Sequence, residues 1–366
     1  MLSIKRIITQ NEFSRLKDDW NVLLKKSKCD TIFLTWEWMY TWWECFKDNK
    51  QLFILTVHEE NENLVGIAPL CVDRKRICGI TVLHYLRFLG TLPTSSDHLD
   101  FIICEKKEEV ALIAIIDYLF HENSWDLCLL SNIPVSSQMN KLLKEVMGNR
   151  PFQSKLSQVC FYIPLPTRIE EFYSSLTGKM RNKVKREQKV LHKKHSNFEL
   201  VICKKPTDID NAMEKLFVLH EQRWKTMNHK GNFSKSSIKK FHKKIAGLFL
   251  ESNMLMLYFL RVQGKDVATL YTFKYNNKLC YYQSGRDPEW SKEGVGGILI
   301  NLVIEDAINK GYAEFDFLRG KEDYKTRLTD KKREEVDIFI SNSFNSRIYL
   351  LFRNLYHKIR QSRQLL

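Results

Sequence analysis

Residues 279–325 constrain the fold of this chain more than any other segment. An apolar and aromatic run at 279–285 fits a buried strand, and apolar residues recur at helical spacing from Val295 to Ile308. A second short strand is predicted at 313–318. The order of strand, glycine-bearing turn, amphipathic helix and strand predicts an α/β unit whose helix begins at an open turn.

The turn before this helix carries Gly294, Gly296 and Gly297, which leave little side-chain bulk. Backbone N–H groups at a helix N-terminus are unpaired, and the helix dipole favours an anion there. We therefore expect the turn to hold the phosphates of a donor molecule over a reaction centre. The full G-x-G-x-x-G pattern fails because Leu299 holds its last position, so a Rossmann nucleotide fingerprint is excluded.

The same order of elements is predicted twice along the chain. A hairpin, a further strand, a helix and a last strand fall between residues 52 and 131, and again between residues 254 and 318. This repetition predicts an α/β fold built from a duplicated module, with mixed central sheets flanked by helices. Pro164 and Pro166 break regular structure between the copies, so we expect domains at 1–166 and 167–366.

The two copies differ at the turn before the helix. In the first copy residues 105–109, with three glutamates, replace the glycines, and clustered acids would repel phosphates. We therefore expect only the second copy to bind the donor, while the first copy shapes the acceptor side.

The bulk composition favours anionic partners and a cytoplasmic location. A formal net charge of +15 attracts phosphates, acidic glycans, nucleic acid or an anionic membrane. Nine scattered cysteines without a C-x-x-C pair indicate reduced thiols, and no His/Cys/carboxylate cluster has zinc spacing, so no stable metal is expected. Neither a signal peptide nor the roughly 20-residue apolar run of a membrane span is recognised.

A basic helix is predicted at about 176–195, between the two copies. Leu176, Met180, Val184 and Leu191 fall on one stripe, and lysine and arginine dominate the remaining surface. This helix is either a surface for a phosphate-bearing partner (a lipid-linked acceptor, tRNA or a membrane) or a solvated connector. A similar stretch at 347–363 either docks on its domain or lies on an anionic membrane.

These motifs resemble the acetyl-CoA-binding core of the GNAT acyltransferase superfamily, whose motif runs Gln/Arg-x-x-Gly-x-Gly/Ala. Ser291, Gly294 and Gly296 have that spacing, with serine in place of glutamine or arginine. A closer likeness is to the BioF2-like or CelD/BcsL family, associated with cellulose and exopolysaccharide production. The tandem arrangement is also similar to that of the FemAB-type aminoacyltransferases. The segments that carry the BioF2-like likeness are 36–43, 66–70, 97–100, 220–224 and 316–325.

The resemblance implies an N- or O-acyltransferase with acetyl-CoA or another acyl-CoA as co-substrate and no permanently bound cofactor. In GNAT-type sites a backbone N–H before the turn polarises the donor carbonyl, which maps to residues 283–285, and a tyrosine, here Tyr324, protonates the leaving thiolate. For the base, Asp316 stands at a strand end where burial could raise its pKa, and His220 has a suitable intrinsic pKa. Asp287 competes, although it most plausibly caps a turn.

The candidate site residues form three groups. They are the catalytic residues Asp316, Tyr324 and His220; the donor-binding residues Gln283, Ser284, Gly285, Gly294, Gly296 and Gly297; and the acceptor-binding residues Arg223, Trp224, Arg319, Lys325, Asp97 and Asp100. The arginines and the lysine of the third group could equally be structural ion-pair partners.

The sequence therefore predicts a cytoplasmic acyltransferase, acting in solution or at the inner face of the membrane. Its acceptor would be an amino or hydroxyl group of a sugar or lipid-linked glycan precursor of a cell-envelope polysaccharide. An alternative is a FemAB-like enzyme that moves an amino acid from charged tRNA to a peptidoglycan precursor; the basic helix favours it and the lack of a long inserted coiled-coil arm opposes it. A third is a non-catalytic accessory protein of exopolysaccharide synthesis, for which Ser291 is the main argument.

Overall fold

A computed structural model of the protein describes residues 2–77, 80–195 and 197–353. The strands are β1 (Ser3–Ile7), β2 (Lys50–His58), β3 (Leu64–Ile77), β4 (Ile80–Phe88), β5 (Ile102–Ile103), β6 (Leu127–Pro134), β7 (Phe152–Pro164), β8 (Phe198–Ile202), β9 (Leu255–Val262), β10 (Lys265–Tyr275), β11 (Lys278–Arg286), β12 (Glu314–Arg319) and β13 (Lys332–Ser341). The α-helices are α1 (Gln10–Arg15), α2 (Lys17–Lys25), α3 (Trp36–Phe46), α4 (Glu108–His121), α5 (Gln138–Met147), α6 (Ile169–Ser175), α7 (Gly178–Lys194), α8 (Ile209–Lys225), α9 (Ser236–Glu251), α10 (Val295–Asn309) and α11 (Asp323–Leu328).

The chain divides into two compact units. Met1–Ser157 and the chain from Glu334 onward form the first, and Gln158–Arg333 forms the second. The boundary therefore falls inside β7, a few residues before the 166/167 division expected from the sequence, and the chain returns to the first unit at β13.

The first unit is built on a sheet with strand order β1-β2-β3-β4-β6-β13, and β5 pairs with β3. All neighbours are antiparallel except β4 and β6, which are parallel and therefore need a crossover that includes α4. The tryptophan-rich helix α3 starts at Thr35, whose side chain accepts a hydrogen bond from the Trp38 backbone N–H. Trp38 and Trp42 are fully buried, so these tryptophans belong to the core of the first unit.

The second unit repeats this arrangement in the order β7-β12-β11-β10-β9-β8. Its one parallel pair is β11 with β12, joined by α10. The helix packs its apolar face on the sheet, with Val295, Leu299 and Val303 buried against the core that also holds Leu279 and Phe315. The meander, crossover helix and parallel strand occur in both units, which confirms the α/β duplication predicted from the sequence.

One predicted strand in the first unit is much shorter than expected. The run 99–104 forms only β5, because the Leu99 N–H donates to the Asn132 carbonyl and the Asp100 carboxylate accepts from the Phe101 N–H. These contacts replace the regular ladder that the apolar pattern suggested.

The basic segment near the C-terminus is described only in part. Residues 344–353 are helical, with Leu350 buried and Leu351 and Phe352 exposed, whereas 354–363 lie outside the described residues. Within the described ranges, no helix has the length and apolar character required to cross a bilayer.

Candidate functional site

The parallel strands β11 and β12 pair briefly and then part. Lys278 pairs with Glu314, and the pairing ends two residues later with Cys280 and Asp316. No later pair of these two strands occurs in the described residues. Beyond that point β11 stays paired with β10, and β12 with β7. Since successive N–H groups of a strand point to opposite sides, some of those after Cys280 face the resulting opening. The predicted carbonyl-polarising segment 283–285 lies here, on β11.

The start of α10 closes one end of this opening. Gly294 is the N-cap of the helix and has φ +72°, a conformation that glycine adopts without steric cost. Gly296 and Gly297 lie in the first turn. The predicted donor-binding glycines are thus together at a helix N-terminus, where backbone N–H groups favour an anion.

Arg286, the last residue of β11, is a site residue that the sequence analysis missed. A Cβ at Gly296 would lie 3.7 Å from Arg286 Nη1, so the guanidinium stands beside the first turn of α10. Burial and the charge of Arg223 lower the pKa of Arg286. In the sequence, Arg286 is recognisable as a cation directly after the predicted strand and before the glycine turn. Its guanidinium supplies a positive charge near the turn, where the motif has glutamine or arginine and this chain has Ser291.

Arg223, on α8, approaches the same opening. Its Nη1 donates to Ser284 Oγ at 2.5 Å, while its Nε is buried without a hydrogen-bond partner. In the described part of the chain neither Arg223 nor Arg286 has a carboxylate partner. Two neighbouring guanidiniums without a carboxylate partner create a positive potential that favours an anionic group.

A hydroxyl network connects Arg223 to the predicted acid. Tyr281 donates to Ser284 Oγ at 2.6 Å, and Tyr281 and Tyr324 are hydrogen-bonded to each other. Burial, together with the neighbouring Tyr281, raises the pKa of Tyr324 well above its usual value. Tyr324 therefore keeps its proton at neutral pH and can donate it, as its predicted role requires.

His220 lies beneath this network and is fully buried. Its Nδ1 is 3.2 Å from the Ser284 carbonyl oxygen, so Nδ1 carries the proton and Nε2 the lone pair. Nε2 has no hydrogen-bond partner, and burial followed by the charge of Arg223 lowers the pKa of His220 to about 3. The hydrogen bond from His220 holds the backbone of β11 at Ser284. A role of His220 as the base remains a prediction.

Gly231 covers the free nitrogen of His220. A Cβ at Gly231 would lie 2.9 Å from His220 Nε2 and 2.8 Å from Trp224 Cδ1. The loop after α8 therefore seals both the imidazole and Trp224, whose indole nitrogen is also buried without a partner. Access of an acceptor to the fully buried imidazole of His220 requires this loop to move, whereas Trp224 is partly exposed.

Asp316 is already engaged by other groups. It is almost completely buried, its Oδ1 accepts from the Leu318 N–H at 2.8 Å, and its Oδ2 lies 3.4 Å from Arg333 Nη1. Arg333 also binds Glu314 and stacks on Tyr162. These contacts order the end of β12; a role as general base remains a prediction.

The predicted acceptor anchors Arg319 and Lys325 lie in the turn from β12 to α11. Lys325 is buried, and its Nζ donates to the Arg319 carbonyl at 2.5 Å and lies 3.0 Å from Glu322 Oε2. These bonds hold the turn that carries Tyr324. The remaining two predicted anchors, Asp97 and Asp100, are buried in the first unit.

The basic helix α7 lies on the start of α10. Val184 and Leu191 are buried as predicted, and Gln188 donates to Glu305 of α10. Glu187 faces the glycine turn: a Cβ at Gly294 would be 3.0 Å from its Oε1. On its other sides the helix exposes five cations: Lys179, Lys185, Arg186, Lys189 and Lys193. Lys194, seven residues after Glu187, lies on the same side as Glu187, and its Nζ is 3.5 Å from Glu293 Oε1.

Comparison with known proteins agrees with this geometry. Residues 178–326 match the family model of the acetyltransferase (GNAT) domain, so α7 belongs to the matched domain. No curated protein is similar enough to the sequence to count as a match. Residues 178–326 of the second unit therefore match a GNAT acetyltransferase domain, which indicates an acyltransferase activity for this unit.

Solved structures extend the likeness to the whole chain at the level of fold. FemX has a TM-score of 0.65 at 10% identity, covering 95% of this chain and 99% of its own. A conserved protein of unknown function from Bacteroides thetaiotaomicron has a TM-score of 0.55 at 14% identity, covering 93% and 100%. L-PGS from Bacillus licheniformis has a TM-score of 0.55 at 9% identity, covering 92% and 96%.

Proposed function

We propose that the second unit transfers an acyl group from acyl-CoA to an amino or hydroxyl group, with the thioester lying in the opening between β11 and β12. The observation that carries this proposal is the pair Arg223 and Arg286. Arg286 lies beside the glycine turn of α10 and Arg223 acts on it electrostatically, and this pair suits a donor that is held by its phosphates.

The chemistry follows from the hydroxyl network. The acceptor nitrogen or oxygen attacks the donor carbonyl, and the C–S bond breaks as the new C–N or C–O bond is completed. Tyr324 gives its proton to the departing thiolate, and the resulting phenolate takes the proton that the acceptor loses. The positive charge of Arg223, which favours the ionised form of Tyr324, stabilises this phenolate during the transfer.

For the acceptor we propose a sugar or lipid-linked glycan precursor of the cell envelope. The support is the resemblance of 36–43, 66–70 and 316–325 to the BioF2-like and CelD/BcsL proteins. Such precursors and acyl-CoA meet in the cytoplasm, so a site of action there, or at the inner face of the membrane, belongs to the same proposal.

A second candidate donor, an aminoacyl-tRNA, is favoured by Glu187. Its carboxylate lies where a pyrophosphate at the glycine turn would bind, while the outer face of α7 offers five exposed cations to a polyanion. The whole-chain likeness to FemX is compatible with this reading. The acceptor would then be a peptidoglycan precursor or another lipid-linked amine.

Calorimetric titration of the full chain with acetyl-CoA, and separately with aminoacylated tRNA, tests both candidates. Acetyl-CoA should bind, and Arg286→Gln should weaken binding roughly tenfold or more because a charge-assisted contact is lost. Arg168→Gln, which removes an exposed cation of α6's N-cap, is the control and should bind as the wild type.

Undetectable acetyl-CoA binding together with tight, strongly salt-dependent tRNA binding would replace the first candidate by the second. Acetyl-CoA binding that Arg286→Gln leaves unchanged would remove Arg286 from the donor site and, with it, the pair of guanidiniums on which this proposal rests.

A further inference from the structure

The first unit contains a cavity of about 350 Å³ on one face of its sheet. Its floor is apolar and comes from three adjacent strands: Tyr85 of β4, Leu127 and Leu129 of β6, and Phe339 of β13. These side chains are neighbours by register, since Tyr85 is opposite Leu127 and Phe339 is opposite Leu129. The helix at 344–353 supplies Tyr349 and Arg353 to one wall.

The rim of this cavity is strongly cationic. Arg74, Lys75, Arg87 and Arg353 line it, and Asp73 is its one carboxylate. Asp73 is shared, because its Oδ1 accepts from the Arg74 backbone N–H and its Oδ2 lies 3.4 Å from Arg87 Nη1. Arg87 Nε is buried without a hydrogen-bond partner. Arg74, Lys75 and Arg353 therefore lack a carboxylate in the cavity, and Arg87, although it is paired with Asp73, keeps a desolvated N–H without a partner.

The neighbouring cations and hydrogen bonds affect the pKa values of the two tyrosines of the cavity, Tyr349 and Tyr85. Lys75 Nζ lies 4.1 Å from the centroid of the Tyr349 ring. Burial opposes ionisation of Tyr349, yet hydrogen bonds from Tyr85 and Lys75 and the charge of Arg353 lower its pKa. Burial raises the pKa of Tyr85, so the two phenols differ although they are adjacent. Among the causes of this shift, the charges of Lys75 and Arg353 favour the ionised form of Tyr349.

We infer that this cavity is a binding site for a small organic phosphate monoester, with the phosphate at Arg87 and Arg353 and an apolar or aromatic body on the floor. Paired guanidiniums match phosphate geometry, and the volume is that of an ordinary small-molecule pocket. Inorganic phosphate has no apolar group that could contact Leu127, Leu129 and Phe339. The apolar body of a monoester can make these contacts and so contributes to binding. This site lies within the first unit and is separate from Arg223 and Arg286.

Calorimetric titration of the full chain with phenyl phosphate tests the inference, because this probe joins a phosphate to a flat apolar ring. Phenyl phosphate should bind more tightly than inorganic phosphate. Arg353→Gln should weaken phenyl phosphate binding roughly tenfold or more, because it removes a guanidinium that lies 4.1 Å from the ring centroid of Phe339 in the floor. Arg150→Gln, which removes an arginine paired with Asp117 outside the cavity, should change nothing.

Two further measurements separate this site from the donor site. Arg286→Gln should leave phenyl phosphate binding unchanged, and ultraviolet titration should show the Tyr349 pKa rising when phenyl phosphate is bound, a change absent in Tyr349→Phe. Binding that is lost in Arg286→Gln but kept in Arg353→Gln would overturn the inference, and so would inorganic phosphate that binds as tightly as phenyl phosphate.

Discussion

The carboxylate of Glu187 lies over the turn at Gly294, the N-cap of α10. A Cβ at Gly294 would be 3.0 Å from Glu187 Oε1, and a Cβ at Gly297 would be 3.5 Å from Oε2. Burial raises the pKa of Glu187, and Lys183, 3.6 Å away, only partly opposes this change. An acid from α7 therefore stands at the helix N-terminus that a donor phosphate would use.

Replacing this acid with its neutral isostere should improve phosphate binding at the turn. In Glu187→Gln the shape is kept and the repulsion between carboxylate and phosphate is removed, so we expect acetyl-CoA affinity to rise roughly tenfold. Calorimetry provides the measurement. Glu171→Gln, an exposed position on α6, is the matched control and should bind as the wild type. Equal affinities in Glu187→Gln and the wild type would show that the donor phosphates do not approach Gly294.

Removal of the Tyr324 hydroxyl should slow the chemical step. Tyr324 keeps its proton because burial and Tyr281 raise its pKa, and a phenylalanine cannot donate one. We expect Tyr324→Phe to lower kcat by about a hundredfold and leave KM for acetyl-CoA nearly unchanged. Thiol release from acetyl-CoA with a glucosamine acceptor measures both constants. Tyr312→Phe, a partly buried tyrosine that packs beside α10, should retain full kcat. A variant at 324 with wild-type kcat would assign the proton to another group.

The order of elements in 279–325 could be predicted because each is specified by nearby residues. Apolar periodicity and the glycines placed the helix at 295–310, and the structure has α10 at Val295–Asn309. The ion pair of Asp316 could not be predicted in the same way. Asp316 interrupts an apolar run, as a functional carboxylate would, but its partner Arg333 is 17 residues away in sequence. A long-range ion pair leaves no local pattern.

Glu187 could have been found from the sequence. It lies three residues after Val184 and four before Leu191, so it falls on the apolar stripe of an otherwise lysine-rich helix. An acid on the buried stripe must face something, and here it faces Gly294 and Gly297. What covers the stripe depends on how α7 packs on α10, which periodicity alone does not determine.

Gly285 was assigned to donor binding, and the structure gives it a packing role as well. A Cβ at Gly285 would lie 2.5 Å from the Leu219 carbonyl carbon and 2.8 Å from Leu219 Cβ, so only glycine lets α8 rest on β11. We expect Gly285→Ala to lower the free energy of unfolding by about 1–3 kcal/mol, because the two elements must separate. Gly247→Ala, in α9 with no atom within 4 Å of the added Cβ, should instead raise it by about 0.5–1 kcal/mol. Urea denaturation of both variants is the measurement; a Gly285→Ala protein as stable as the wild type would contradict the close packing.

The stability of the protein should fall as pH rises toward neutrality because of Asp100. Burial raises the pKa of its carboxyl to about 7, and the hydrogen bonds from Ser137 and from the Phe101 N–H only partly offset this increase. The folded state therefore holds a proton that the unfolded chain, with a pKa of about 3.9, releases at lower pH. The stabilisation is complete below the unfolded pKa and is lost as pH rises through about 7.

Between about pH 5 and about pH 8 this group should remove about 3 kcal/mol from the free energy of unfolding of the wild type. Asp100→Asn keeps the shape and cannot ionise, so its stability should lack that component of the slope, and it should exceed the wild type above neutrality. Asp48→Asn, at an exposed position, should keep the wild-type slope. Guanidinium denaturation across this pH range gives the comparison, and parallel profiles for the wild type and Asp100→Asn would show that Asp100 is ionised in the folded protein throughout.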